Sequence, residues 1–133
     1  MKNFLLLTAV LAVLAGASAS LSSCGSRRAA VQEPDTLRIN TTESGAGVTG
    51  FNGPTPLEIT VVKGVVTEIK ALPNQETPRF LQHVLESGLL SRLDGMTVKE
   101  ARDVRLDAVS GATYTSRAMI ENIRIGLESA GSK

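Results

Sequence analysis

The 133-residue chain is poor in the residues that build many reactive centres. Its one cysteine, Cys24, leaves no pair for a disulfide, no set for a thiolate-bound iron–sulfur cluster and no C-x-x-C-H for haem attachment. Its one histidine, His83, excludes a multi-histidine metal site and reads as a structural residue of a helix. Ser110 lacks the Gly-x-Ser-x-Gly surround of a nucleophile elbow, which argues against a Ser–His–Asp hydrolase. Tryptophan is absent, and after residue 23 the aromatics are Phe51, Phe80 and Tyr114. Charge is nearly even, with 14 basic and 13 acidic residues, so no field of one sign points to nucleic acid. What remains, 42% hydrophobic and 20% charged, is the composition of a globular chain.

The long apolar run lies at the N-terminus, where Lys2 is followed by "FLLLTAVLAVLAGASA". A positive start, an apolar stretch and small residues make residues 1–23 a secretory signal peptide, too short and too rich in Ala and Gly to read as a spanning helix. Its end, Leu21-Ser22-Ser23-Cys24, resembles the lipobox of bacterial lipoproteins. That resemblance implies an acylated Cys24 as the new N-terminus and a protein lipid-anchored to a bacterial membrane outside the cytoplasm. Each buried acyl methylene contributes about 0.8 kcal/mol, so several chains on one cysteine hold a protein at a bilayer without a spanning helix. Removal of residues 1–23 takes away Lys2 and no acid, leaving 13 basic residues against 13 acidic ones.

After Cys24 the stretch "GSRRAAVQEPDTLRINTTESGA" is polar with little periodicity, so residues 24–46 read as a lipidated cysteine and flexible linker. Residues 47–133 are then expected to form one small domain, short enough for a bound cofactor to matter to its stability. "VTGFNGP" suggests a short strand entering a tight turn. "LEITVVKG" and "VVTEIKAL" alternate apolar and polar residues around Lys63-Gly64, which predicts an antiparallel hairpin. From Pro78, residues Phe80, Leu81, Val84, Leu85 and Leu89 fall at helical spacing. Thr97 and Glu100 carry the spacing of a capping box. "VRLDAV" returns to alternation and predicts a short strand, and "SRAMIENIRIGLESA" has an apolar helical stripe at Met119, Ile120, Ile123 and Leu127. The expected fold class is α+β, a small antiparallel sheet packed with two main helices.

Between the last expected strand and helix stands "DAVSGATYTS", Asp107 to Ser116. A small-residue turn at a helix start gathers unpaired backbone N–H groups and a partial positive charge, a place suited to a phosphate. Gly111 admits close backbone approach, Ala112 adds little bulk, and Ser110, Thr113, Thr115 and Ser116 supply hydroxyls. The same residues also read as an ordinary capped turn, since Ser and Thr are common N-caps and Gly is common in turns. On residue pattern alone both readings stand.

At these residues the chain resembles the FMN-binding domain family, whose pattern is an aspartate followed by Ser/Thr-Gly-Ala-Thr and a further Thr-Ser. Here these are Asp107, Ser110-Gly111-Ala112-Thr113 and Thr115-Ser116. "GFNGP" at Gly50 to Pro54 is similar to the family's Gly-aromatic-x-Gly-Pro opening, and "ETP" at Glu76 to Pro78 falls where a similar tripeptide is usual. The resemblance implies FMN as cofactor, with Thr113 as the point of phosphoester attachment by a flavin transferase of the ApbE type. It implies that Ser110, Gly111 and Ala112 keep the transferase's approach open, and that Asp107 serves recognition or metal-assisted transfer. Arg79 stands where the family often has glycine. Taken from its residues alone, Glu76 reads as a solvated charge, Phe80 as core, and Phe51 and Tyr114 as either core or flavin contacts.

The function expected is a membrane-tethered flavoprotein acting as an extracytoplasmic electron carrier, with a membrane redox partner. No residue reads as a dedicated substrate acid or base, so the chain is expected to be a carrier and not a self-contained enzyme. The alternative is a lipoprotein binding module that holds FMN or another phosphate-bearing ligand non-covalently. A terminal reductase module ranks below both.

Overall fold

The computed structural model describes residues 35–132. The signal peptide, Cys24 and the first part of the stretch read as linker, residues 25–34, lie outside the described residues. Three antiparallel strands, β1 (Thr36–Asn40), β2 (Leu57–Val62) and β3 (Val65–Ala71), form a sheet in the order β1-β2-β3. Helix α1 (Pro78–Glu86), a single 3-10 turn (Leu90–Leu93), the short helix α2 (Val98–Asp103) and the 19-residue helix α3 (Thr113–Gly131) follow. The fold class is α+β, as the alternation and helical spacing predict. Among the described residues no helix is long and apolar enough to cross a membrane.

The β2–β3 hairpin forms where the sequence predicts it. Lys63 at φ 50° and Gly64 at φ 77° make the two-residue turn, whose left-handed backbone matches the twist of the strands. Leu57, Ile59 and Val61 on β2 are buried together with Ile39, Val66 and Ile69 from the neighbouring strands. Met119, Ile123 and Leu127 of α3, Val84 of α1 and Leu89, Leu90 and Leu93 close this core. Where α3 crosses the sheet, a Cβ on Gly126 would stand 2.5 Å from Ile59 Cδ1, so the absence of a side chain lets helix and sheet meet. The capping box at α2 is present: Thr97 Oγ1 accepts from the Glu100 N–H, and the Glu100 carboxylate accepts from the Thr97 N–H.

Four expectations need correction. The stretch read as linker contains β1, because Leu37, Ile39 and their neighbours pair in register with Val61, Ile59 and the rest of β2, and Ile39 joins the core. The opening of the domain is a turn and not a strand: Gly50 N–H donates to Gly53 O at 2.8 Å beside a lone Thr49–Pro54 bridge. Residues 104–109 are extended but pair with no strand. Part of the outer edge of β3 is already taken, since Val66 N–H donates to Met96 O and Val65 bridges Thr97. Alternation in "VRLDAV" therefore forms no ladder: Leu106 and Val109 pack against the core, whereas Val104 is exposed. Finally, α1 stops at Glu86, with Gly88 at φ 76° turning the chain, so Leu89 is buried outside the helix.

Candidate functional site

The site begins at the N-terminus of α3, which starts at Thr113. Ala112 occupies the N-cap position and no side chain caps the helix there. The first helical bond runs from Ser116 N–H to Ala112 O at 2.9 Å. Donors of the first turn are thus left facing outward, with the positive end of a 19-residue helix behind them. Gly111, at φ 85°, brings the chain into this start through a left-handed conformation that a side chain would strain.

The three hydroxyls that follow have different fates. Ser116 is fully buried; its Oγ donates to Ala112 O at 2.8 Å and accepts from the Val109 N–H at 2.9 Å. Thr115 is buried and its Oγ1 donates to Glu76 Oε2 at 2.5 Å. Thr113 is only partly buried, and its hydroxyl makes no hydrogen bond among the described residues. One hydroxyl of the three is therefore available to an incoming group.

Glu76 ties this helix start to two other loops. It is buried, with 5% of its surface exposed, and its Oε1 accepts from the Asn52 N–H at 2.9 Å while Oε2 accepts from Thr115. Asn52 Nδ2 donates to Thr77 Oγ1 at 2.8 Å, which pins the turn at Gly50 to Pro54 onto the start of α1. A Cβ on Gly50 would lie 2.5 Å from Glu76 Oε1, so glycine there makes room for the carboxylate. A buried carboxylate is tolerable when its oxygens are satisfied in this way. The solvated-charge reading of Glu76 is corrected: its neighbours in sequence are polar, but the fold folds it under the site.

Held by that turn, Phe51 meets Phe80 edge to face at 5.2 Å between ring centroids, and lies 6.5 Å from Tyr114. Phe51 and Tyr114 are exposed, at 57% and 67%, although large apolar rings are usually drawn inward. Phe51, Phe80, Gly111, Thr113 and Tyr114 line a cavity of about 240 Å³, so the residue with the unengaged hydroxyl borders an aromatic cleft. A second cavity of about 370 Å³ shares Phe80 and Gly111 with it and adds the polar side chains of Arg79, Gln82, His83 and Glu86. The Arg79 guanidinium lies 5.1 Å from the centre of the Phe80 ring, a cation–π contact. His83 Nε2 donates to Ser110 O at 2.8 Å.

A family model, FMN-binding domain, matches residues 50–128. The chain belongs to the FMN-binding domain family. A sequence comparison with curated proteins returns no match. FMN is the cofactor of this domain, and the residues at α3 fit it. A phosphate finds an uncapped helix start and a free hydroxyl, and a flat ring system finds three aromatic side chains beside them.

Of the residues that the sequence points to, Gly111, Ala112 and Thr113 meet in the cleft of this FMN-binding domain. Ser110 adjoins it with its carbonyl turned to His83. Thr115 and Ser116 point inward and brace the helix start. Asp107 is exposed on the extended segment before the turn. Sequence reasoning missed the burial of Glu76 and the bond from His83. The "ETP" tripeptide was the one signal for the first; nothing in the pattern around His83 foretold the second.

Proposed function

We propose that this chain is a membrane-tethered flavoprotein in which FMN is joined through its phosphate to Oγ1 of Thr113, and that it relays electrons outside the cytoplasm. The observation that carries the reading is the free hydroxyl of Thr113 at the uncapped start of α3, beside two hydroxyls that are both engaged. Esterification without an activated phosphate is unfavourable, so the donor is a flavin pyrophosphate such as flavin adenine dinucleotide. The Oγ1–P bond forms, the bridging P–O bond of the pyrophosphate breaks, adenosine monophosphate departs, and the hydroxyl proton passes to a base of the ApbE-type transferase. The diester keeps one negative charge, which the helix N-terminus stabilises by about 0.3–1 kcal/mol.

Bound FMN takes up one or two electrons, so the redox chemistry is the cofactor's. The chain's share is position and access: Glu76 and Thr115 hold the helix start, while exposed Phe51 and Tyr114 flank Thr113. Asp107 is assigned to recognition by the transferase. Acylated Cys24 supplies the anchor, supported by the lipobox-like Leu21-Ser22-Ser23-Cys24. A covalent bond keeps the flavin from being lost outside the cytoplasm.

Mass spectrometry of protein produced with a flavin transferase tests both modifications. We expect an FMN adduct on the Thr113 peptide, its complete loss in Thr113→Ala, and lipid on Cys24. A stability change within about 0.5 kcal/mol is expected for the alanine variant, since this hydroxyl has no partner to lose. Flavin bound without an adduct would turn the reading to the non-covalent module; an unmodified Cys24 would remove the anchor.

A further inference from the structure

Helix α1 reaches the motif turn through one side-chain hydrogen bond among the described residues, from His83 Nε2 to Ser110 O at 2.8 Å. A carbonyl oxygen can only accept, so Nε2 carries a proton in this contact. The Ser110–Gly111 peptide is planar and trans, and its C=O and N–H point in opposite directions. Fixing the oxygen therefore fixes the Gly111 N–H as well. That N–H has no acceptor among the described residues, whereas the next one, Ala112 N–H, donates to Val109 O at 3.0 Å.

Gly111 makes such a restraint necessary. At φ 85° and without a side chain, it lets the peptide before it rotate at little steric cost. A flip would carry the Gly111 N–H to the other side of the turn and leave the entry to α3 in several arrangements. The His83 ring closes that freedom: its Nε2 lies 3.6 Å from where a Gly111 Cβ would be, so the imidazole packs over the glycine while it holds the neighbouring carbonyl. Gly111 also borders both cavities, so its orientation shapes the floor on which a phosphate beside Thr113 would rest.

We infer that His83 is a positioning residue for cofactor attachment: it locks the Ser110–Gly111 peptide so that the Gly111 N–H, the free donor ahead of Thr113, is set before a flavin phosphate arrives. The inference rests on the attachment reading given under Proposed function. His83 touches neither Thr113 nor the transferred phosphorus; it acts through the turn. Because it is an exposed side chain, its replacement leaves the core untouched.

The test measures initial rates of flavin attachment to the full chain with an ApbE-type transferase and flavin adenine dinucleotide, for the native chain, His83→Ala and His83→Gln. Glutamine puts an amide N–H near the place of Nε2 and can remake the bond. We expect His83→Ala to lower kcat by about three- to tenfold with KM little changed, as loss of one net hydrogen bond predicts, and His83→Gln to recover most of it. The Gly111 amide resonance is expected to broaden by exchange in His83→Ala and to sharpen again in His83→Gln. Alanine attaching flavin at the native rate, or glutamine no better than alanine, overturns the inference while leaving attachment at Thr113 intact. A native chain that accepts no flavin overturns the attachment reading and this inference with it.

Discussion

Along α3 the stretch from Met119 onward buries Met119, Ile123 and Leu127 in the core, whereas the first turn buries Thr115 and Ser116 in hydrogen bonds. Asn122 lies inside the apolar stretch: fully buried, it donates to Ala118 O at 3.1 Å and to Thr55 Oγ1 at 3.4 Å. Apolar burial is strong but non-directional, so it holds the helix on the sheet without setting the angle of any one group. Hydrogen bonds contribute less net energy and demand geometry. The helix is thus stabilised at one end and aimed at the other, and the aimed end carries Thr113.

Substitutions that separate the two regions should have separable effects. The largest is expected for Leu127→Ala, which empties a site with 1% exposure in the core and should cost about 2–5 kcal/mol in denaturant unfolding. The folded fraction should still take up flavin in the native ratio. If flavin per folded molecule fell as steeply as stability, the two regions would not be separable.

Next comes Glu76→Ala, which leaves the Asn52 N–H and the Thr115 hydroxyl without their acceptor. A loss of about 1–3 kcal/mol is expected, together with a fall in bound flavin larger than that of Leu127→Ala, read as absorbance per mole of folded protein. Full flavin content in this variant would show that Glu76 braces the fold alone.

The smallest effect lies away from both regions, at the start of α2. The Thr97 N–H, then the Thr97 hydroxyl, hold the Glu100 carboxylate below its usual pKa. A group whose pKa is lowered on folding adds stability above its unfolded value and loses it as pH falls through its folded value. The native chain should therefore exceed Glu100→Gln slightly in stability near neutral pH, and the gap should close in acid. Unfolding curves for both proteins across pH check this; a gap that widens in acid would contradict the assignment. Flavin content should not respond.

Much of this was legible along the chain. Alternation at Leu57, Ile59 and Val61 is a local record of burial on one sheet face, and the Lys63-Gly64 turn is set by two residues, so the hairpin needed no distant partner to be read. The capping box at Thr97 and Glu100 is legible for the same reason. β1 was not: five residues gain their identity as a strand from β2, which lies 17 residues further on, from the end of one at Asn40 to the start of the other at Leu57. The segment at 104–109 failed in the opposite sense, having the apolar alternation of a strand but pairing with none.

For the site, the small and hydroxylated residues from Ser110 to Ser116 announce a turn and a helix start, because backbone freedom and capping are local properties. What residue order could not distinguish was the fate of each hydroxyl. Thr113, Thr115 and Ser116 are chemically near equivalents; Ser116 is engaged locally by Ala112 O and the Val109 N–H, while Thr115 is engaged only because the 3.6-residue repeat turns it onto Glu76 from another loop. Glu76 itself changes from a surface charge to a buried brace only because Asn52 and Thr115 are brought to it across 24 and 39 positions. Local chemistry along the chain was enough to name the turn, and the resemblance to the FMN-binding domain family was needed to single out Thr113. Which oxygen was left free required long-range contacts, since hydrogen bonds between distant segments have no counterpart in sequence spacing.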